Sequence, residues 1–419
     1  MGFAKKKRAE DALFSLYPSY KRVYTSWSAP PKWCSKVRTS SIETNPQVPE
    51  MQERAADIRD QYQALHEFIP AAKRALSPDK WDYMIGAAET ETTLKRNRLA
   101  LDSIGFRPRI LRDVSNVDCS GKLFGRKSRI PVMLAPVGSI ERFDAGGAAT
   151  VARAAANFDV PQMVSSVCKP DLEQTMAASA AQKFYQLYVR NDDAWVEAIM
   201  ERAAQAGYEA FTFTLDTALY SRRERDIAKR VVVRSTMDPD AMAFQARLTW
   251  DQIKRFKKSC KLPFILKGIA TAEDAIMACD HGIEAIYVSN HGGRQLDHGR
   301  GSIDILQEVV GAVRGRAQII VDGGFCRGTD VVKGMARGAD AVAIGRLYLY
   351  GMAAAGEAGI HRVLELLEEE ICICLGLLGV KNFAELNESY LHAAAAVTPP
   401  HQFSAFPLLD LGNATGFGT

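Results

Sequence analysis

A histidine and an arginine three residues apart, beside two glycines, follow directly on a short apolar run: Ser289-Asn290-His291-Gly292-Gly293-Arg294-Gln295 after residues 285–288. Histidine moves protons near neutral pH. Arginine clamps a carboxylate through two parallel hydrogen bonds. The glycines let a ligand lie close against the backbone. A lone histidine after a strand is usually a satisfied polar residue, but this grouping is hard to read that way. Other chemistry-bearing residues also stand at the ends of apolar runs. Asp216 follows Thr214-Leu215, and an aspartate leaving an apolar run needs a partner, because unpaired burial is costly. Lys267 closes residues 264–267 and needs an anion for the same reason. Gln186 and Tyr188 alternate onto one face of their run. Asp322-Gly323-Gly324 and Gly345-Arg346 end the last two runs, where exposed backbone N–H groups suit a phosphate.

The elements that must position these groups are eight apolar runs: residues 130–135, 162–166, 184–189, 210–215, 264–267, 285–289, 318–321 and 341–344. Helical patterns separate most of them. The spacing predicts an α/β fold, a (β/α)8 TIM barrel, which needs about 250 residues and carries its chemistry after the strands. Extra helices before residue 130 and after Gly356 should cover the barrel ends. The gap from Leu215 to Phe264 is longer and opens with the charged stretch 222–230. The domain reading is a basic leader over 1–50, the barrel with its N-terminal helical cap over 51–395, and a C-terminal tail over 396–419.

The run 289–295 resembles the active-site signature of the FMN-dependent α-hydroxy-acid dehydrogenases and oxidases (glycolate oxidase, lactate oxidase, mandelate dehydrogenase, the flavin domain of flavocytochrome b2). The resemblance extends from about Trp81 to about Ala394. It implies FMN as cofactor and oxidation of an (S)-2-hydroxy acid to the 2-oxo acid. It implies His291 as the proton acceptor oriented by Asp216, and Arg294 and Arg223 as the carboxylate clamp, with Arg222 the alternative if the register slips by one. Tyr83, in Trp81-Asp82-Tyr83, and Tyr188 would meet the substrate. Ala135, Pro136, Val137, Gly138, Ser165, Gln186, Thr214 and Ser289 would contact the flavin, and Lys267 would stand at its pyrimidine edge. Asp322, Gly323, Gly324, Gly345 and Arg346 would hold its phosphate end. Electrons would leave to a quinone, a cytochrome or oxygen. The resemblance also implies a homo-oligomer, a tetramer.

The chain departs from the family pattern at four places. Cys326 stands where the family usually has a phosphate-binding arginine, and Arg327 is the neighbour that could compensate. Val167 replaces a frequent aromatic residue. Gly138 stands where oxidases often have alanine, which points toward a dehydrogenase that uses oxygen poorly. The stretch between Arg234 and Thr249 is short. It favours a rival reading, an FMN enzyme oxidising a larger peptide-derived or natural-product substrate. An FMN-dependent isomerase is a second rival, and a non-catalytic binding protein a third.

Composition narrows the field. The 419 residues are 47% hydrophobic and 24% charged with net charge +4, ordinary for a soluble globular enzyme and too weakly basic for a nucleic-acid binder. No Gly-x-Gly-x-x-Gly follows an early strand, which argues against NAD. The eight cysteines lack zinc spacing and read as free thiols in a reducing cytosol, hence a cytoplasmic location and no metal. The leader, rich in Lys, Ser and Pro, reads as disordered or as the product of a mis-assigned start with Met51 as the first residue. Its aromatics beside lysines could also touch a membrane surface or RNA.

Overall fold

The computed structural model describes residues 58–230 and 239–411. The leader, the predicted helical start near Glu53, residues 231–238 of the long gap and the last eight residues lie outside them.

Each of the eight predicted runs is a strand, and all eight are parallel. They are β1 (Val132–Leu134), β2 (Gln162–Ser165), β3 (Lys183–Leu187), β4 (Ala210–Thr214), β5 (Phe264–Ile269), β6 (Ala285–Val288), β7 (Gln318–Val321) and β8 (Ala341–Ile344). They close into a barrel in chain order, with β8 beside β1 and β6 beside β7. These strands read as unbroken apolar runs because both their faces are covered, one by helices and one by the barrel interior. Inward-pointing Met133, Met163, Phe184, Ile265, Tyr287 and Ile320 fill that interior. The barrel is therefore a packed core, not a pore.

Two devices shut its ends. A hairpin pairs residues 121–123 with 126–128 and turns through Phe124 and Gly125, both at positive φ. Its Phe124 ring lies 5.2 Å from Phe184, and the Phe124 N–H donates to Gln318 Oε1, so the hairpin plugs the amino-terminal mouth. After an outer helix, α1 (Leu65–Ala75), the opposite mouth is roofed by α2 (Pro78–Ile85) and α3 (Thr92–Asp102). Helix α3 is tied to the loop after β6. Asn97 and Asn290 exchange side-chain hydrogen bonds at 3.0 and 2.7 Å, and the Thr93 N–H and Thr90 Oγ1 donate to Asp297.

The remaining helices are α4 (Gly147–Phe158), α5 (Leu172–Ala177), α6 (Asp193–Ala206), α7 (Glu224–Ala228), α8 (Pro239–Ala246), α9 (Trp250–Ser259), α10 (Ala272–Asp280), α11 (Ser302–Val313), α12 (Gly328–Ala336) and α13 (Arg346–Leu378). Helices α7 to α9 occupy the long gap, and α8 sits in the short stretch before Thr249. Helix α13 breaks at Ala355 and Gly356, where non-helical angles fold its second part back on the first. Its second part carries Cys372 and Cys374, both buried. Residues 401–406 are not a free tail. Phe406 is buried with its ring edge-on to His66, and the Phe403 ring stacks 6.1 Å from Trp81.

Candidate active site

The roofed mouth holds a cavity of about 430 Å3, lined by residues from the ends of β1, β3 and β5 to β8 and from the cap helices. His291 follows β6 in a short turn. His291, Gly292 and Gly293 take φ of 58°, 62° and 79°, three left-handed residues in a row. A Cβ on Gly293 would come within 2.6 Å of the Leu94 backbone nitrogen, so the approach of α3 requires glycine there. A histidine in the left-handed region costs about 1–2 kcal/mol, and such strain gathers at functional sites.

The turn aims His291 at two partners. Its Nδ1 lies 3.0 Å from Asp216 Oδ1, and its Nε2 lies 3.3 Å from the Tyr188 hydroxyl. Asp216, after β4, also faces Lys267 Nζ at 3.9 Å. Burial would raise the Asp216 carboxyl, but the His291 and Lys267 charges outweigh it and hold it below its ordinary value. Asp216 is therefore a carboxylate, and it accepts the Nδ1 proton. Burial, helped by the Lys267 and Arg223 charges, lowers the His291 imidazole against the pull of Asp216. The ring is thus neutral at pH 7, with Nε2 unprotonated, facing the Tyr188 hydroxyl and able to take up a proton.

Two arginines face the same space. Arg294 donates through Nη1 to the carbonyls of Tyr83 and Gly86 at 2.7 and 2.8 Å. Its Nη2 is buried with no hydrogen-bond partner among the described residues, as is Arg223 Nε. Burial and the nearby Arg223 charge push the Arg294 guanidinium down to about 10. Two buried cations with idle donors call for an anion. Of the two possible registers, Arg223 is the buried one, with its guanidinium 4.4 Å over the Tyr220 ring, while Arg222 is exposed and bonded to Glu224. The Tyr83 ring sits between Arg142 and Arg294 at 4.9 and 4.8 Å, and its hydroxyl donates to the Gly138 carbonyl.

A second set of idle polar atoms lies deeper. Gln186 is fully buried with both amide atoms unpartnered among the described residues, and Thr214 Oγ1 and Asp322 Oδ1 are likewise unpartnered. Lys267 donates to Ser289 Oγ at 2.9 Å and lies 5.3 Å over the Tyr287 ring. Ala135, Pro136, Val137 and Gly138 form one wall. Gly323, Gly324, Gly345 and Arg346 form the far end. Gly323 has φ 100°, and a Cβ there would meet Ser302 Oγ at 2.4 Å. Arg346 donates to the carbonyls of Met84, Gly292 and Gly86. Buried donors and acceptors at the strand ends, beside a cavity with a glycine-lined cationic end, fit a flavin ring with a phosphate tail. Gln186, Thr214, Lys267 and Ser289 would hold the ring, and the glycine loops with Arg346 the phosphate.

Two expected residues stand elsewhere. Ser165 lines a smaller neighbouring cavity with Ser166, on the far side of Val167. Arg327 does not reach the phosphate end: it caps α12, and its guanidinium is bonded to Glu370 and to the Ala405 carbonyl. Sequence reasoning missed Arg98 of α3, Tyr220, Gln245 and Gln402, all lining the cavity. Of these, only Tyr220 carried a signal, an aromatic just before the arginine pair.

Residues 72–393 match the family described as FMN-dependent dehydrogenase. A peroxisomal (S)-2-hydroxyacid oxidase of Arabidopsis thaliana is 36% identical over 351 residues, covering 79% of this chain and 97% of that protein. An L-lactate oxidase of a Nostoc strain is 35% identical over 355 residues, covering 78% and 97%. The solved structure of a mandelate oxidase superposes with a TM-score of 0.74 at 36% identity, covering 80% of this chain and all of that one. The chain belongs to the FMN-dependent dehydrogenase family and is an FMN-dependent oxidoreductase acting on CH–OH groups.

Proposed function

We propose that this enzyme oxidises a small (S)-2-hydroxy acid to the 2-oxo acid. The observation that carries the reading is the pair of buried, partly idle guanidinium groups, Arg223 and Arg294, beside a neutral histidine backed by a carboxylate. The arginines hold the substrate carboxylate, Arg294 as a fork that its contacts with Tyr83 and Gly86 keep in place. Tyr83 and Tyr188 offer hydroxyl groups to the same substrate. His291 Nε2 takes a proton from it, and Asp216 stabilises the imidazolium that forms. A bound FMN would supply the two-electron acceptor at this site, taking up the electrons together with the second hydrogen of the substrate. Lys267 would offer its ammonium group to the ring and so favour its reduced, anionic form. The relatives named above act on 2-hydroxy acids of this kind, which supports the reading.

Val167 and Gly138 set the room above this site. A Cβ on Gly138 would meet Val167 Cγ2 at 2.7 Å, so the two residues share one space. The acceptor follows from the same region. The relatives are named as oxidases, yet Gly138 argues for slow reaction with oxygen and faster reaction with a quinone. The function is tested by mixing the FMN-loaded protein anaerobically with glycolate, (S)-lactate and (S)-mandelate. Bleaching of the flavin by at least one of them is expected. An unbleached flavin with all three, and bleaching by a larger hydroxy compound without a carboxylate, would replace this reading with the larger-substrate one.

A further inference from the structure

The glycine loop after β7 runs into Cys326, a buried residue that brings no charge to the far end of the cavity. Burial pushes its thiol up to about 11. The next residue, Arg327, turns away to Glu370. Two other guanidinium groups line this end. Arg346 donates to the carbonyls of Met84, Gly292 and Gly86. The second is Arg98, which comes from the roof helix α3 and has one donor unused.

Arg98 is fixed against the glycine loop by its outer nitrogens. Its Nη1 donates to Asp330 Oδ2 at 2.8 Å, and the Cys326 N–H donates to the same oxygen at 2.9 Å. The guanidinium and the Cys326 backbone thus hang from one carboxylate oxygen. Nη1 also donates to the Gly324 carbonyl at 2.6 Å, and Nη2 donates to Asp102. Burial works to lower the guanidinium, but the Asp330 and Asp102 carboxylates outweigh it and keep it charged. Its Nε is left over. That atom is buried with no hydrogen-bond partner among the described residues, on a side chain only 3% exposed. A charged N–H buried without an acceptor is costly and calls for an explanation. In the wall of a cavity, an anionic ligand supplies one.

We propose that Arg98 is a ligand of the FMN phosphate, its Nε–H donating to a phosphate oxygen while its Nη atoms hold the guanidinium at the loop after β7. A roof helix thereby supplies the charged donor that Cys326 does not. The proposal rests on the reading that the glycine loops after β7 and β8 hold the phosphate. Asp330 is then the anchor of the ligand rather than a part of the site, and its negative charge works against the phosphate.

The test is binding of FMN and of riboflavin, which lacks the phosphate, to apoprotein prepared from the full chain and followed by quenching of flavin fluorescence. The wild type should bind FMN more tightly than riboflavin. Arg98→Gln removes the Nε–H, while Asp330 keeps the N–H groups of Cys326 and Arg327. It should weaken FMN about ten- to hundred-fold, the range for a hydrogen bond to a charged group, and leave riboflavin unchanged. Arg98→Lys keeps an ammonium for Asp330, and so the fold, but has no Nε–H; its preference for FMN over riboflavin should fall too. Asp330→Asn separates the ligand from the ion pair. It keeps an acceptor for the Cys326 N–H, leaves Arg98 on the Gly324 carbonyl and Asp102, and removes a negative charge near the phosphate. FMN should bind this variant at least as tightly as the wild type. A wild-type preference for FMN in both Arg98 variants, or FMN and riboflavin weakened alike, would overturn the proposal. So would a loss of that preference in Asp330→Asn, since Arg98 would then matter only as the partner of Asp330. A wild type that does not distinguish FMN from riboflavin would overturn both the proposal and the phosphate site beneath it.

Discussion

Replacing Asp216 by asparagine tests the electrostatics of the site with almost no change of shape. The carboxylate oxygen is 3.0 Å from His291 Nδ1. When His291 takes its proton, the two charge centres stand about 4 Å apart, and at an effective dielectric of about 20 their attraction is about 4 kcal/mol. Asparagine removes it. Each 1.36 kcal/mol is a factor of ten, so kcat/KM should fall about 10³-fold. If the asparagine amide donates to Nδ1, the imidazole proton moves to Nε2, the atom that must accept, and the loss is greater. Lys267, 3.9 Å from Asp216, also loses its counter-charge, which lowers the imidazole further. FMN content should not change, because Asp216 faces His291 rather than the far end of the cavity. The assay is the anaerobic rate of flavin reduction by stopped flow, on variant and wild type of equal flavin content. A loss smaller than about tenfold would mean that Asp216 does not stabilise a charged His291, and the proton-transfer reasoning would fail.

Arg294→Lys should cut kcat/KM by about 10- to 100-fold with FMN still bound, since an ammonium cannot keep the Tyr83 and Gly86 carbonyls and also fork onto a carboxylate; steady-state kinetics on a reducing hydroxy acid checks it. The pH profile of kcat/KM should rise to a plateau with a midpoint below histidine's ordinary 6.5: the lowered imidazole is protonated, and inactive as a base, only below that shifted value, so activity is lost as pH falls through it. A midpoint above 6.5 would contradict the neutral histidine. Reoxidation of the reduced enzyme should be faster with a quinone than with air-saturated buffer, measured by stopped flow. Gly138→Ala is best read together with Val167→Ala, since the added methyl would otherwise meet Val167.

The barrel was legible because strands covered on both faces must be apolar throughout, so eight such runs stand out against helical spacing. The strand-end residues were legible for a related reason: Asp216, Lys267 and His291 are polar side chains placed where an apolar run stops. Side-chain direction was not legible. Arg327 sits next to the glycine loop in sequence, yet as the cap of α12 its side chain leaves the cavity for Glu370. Ser165 ends its strand as expected, but Val167 takes the wall and leaves the serine on the neighbouring cavity. Arg98 and Asn97 read as ordinary polar positions of a cap helix, and only the docking of α3 on the loop after β6 gives them a place. Gln402 lies more than fifty residues past the last strand-end motif, in a Pro-rich stretch that carries no period. Its position depends on where Phe403 and Phe406 bury their rings.

The most direct measurement of the central claim is flavin reduction in His291→Gln. The glutamine keeps a polar side chain after β6 but offers no group that takes a proton near pH 7. FMN-loaded variant and wild type, mixed anaerobically with the hydroxy acid that best reduces the wild type, should show equal flavin spectra at the start and then part. The variant should reduce at least about 10²-fold more slowly, the contribution of a positioned general base. Reduction at near the wild-type rate, with FMN fully bound, would contradict the assignment of proton removal to His291.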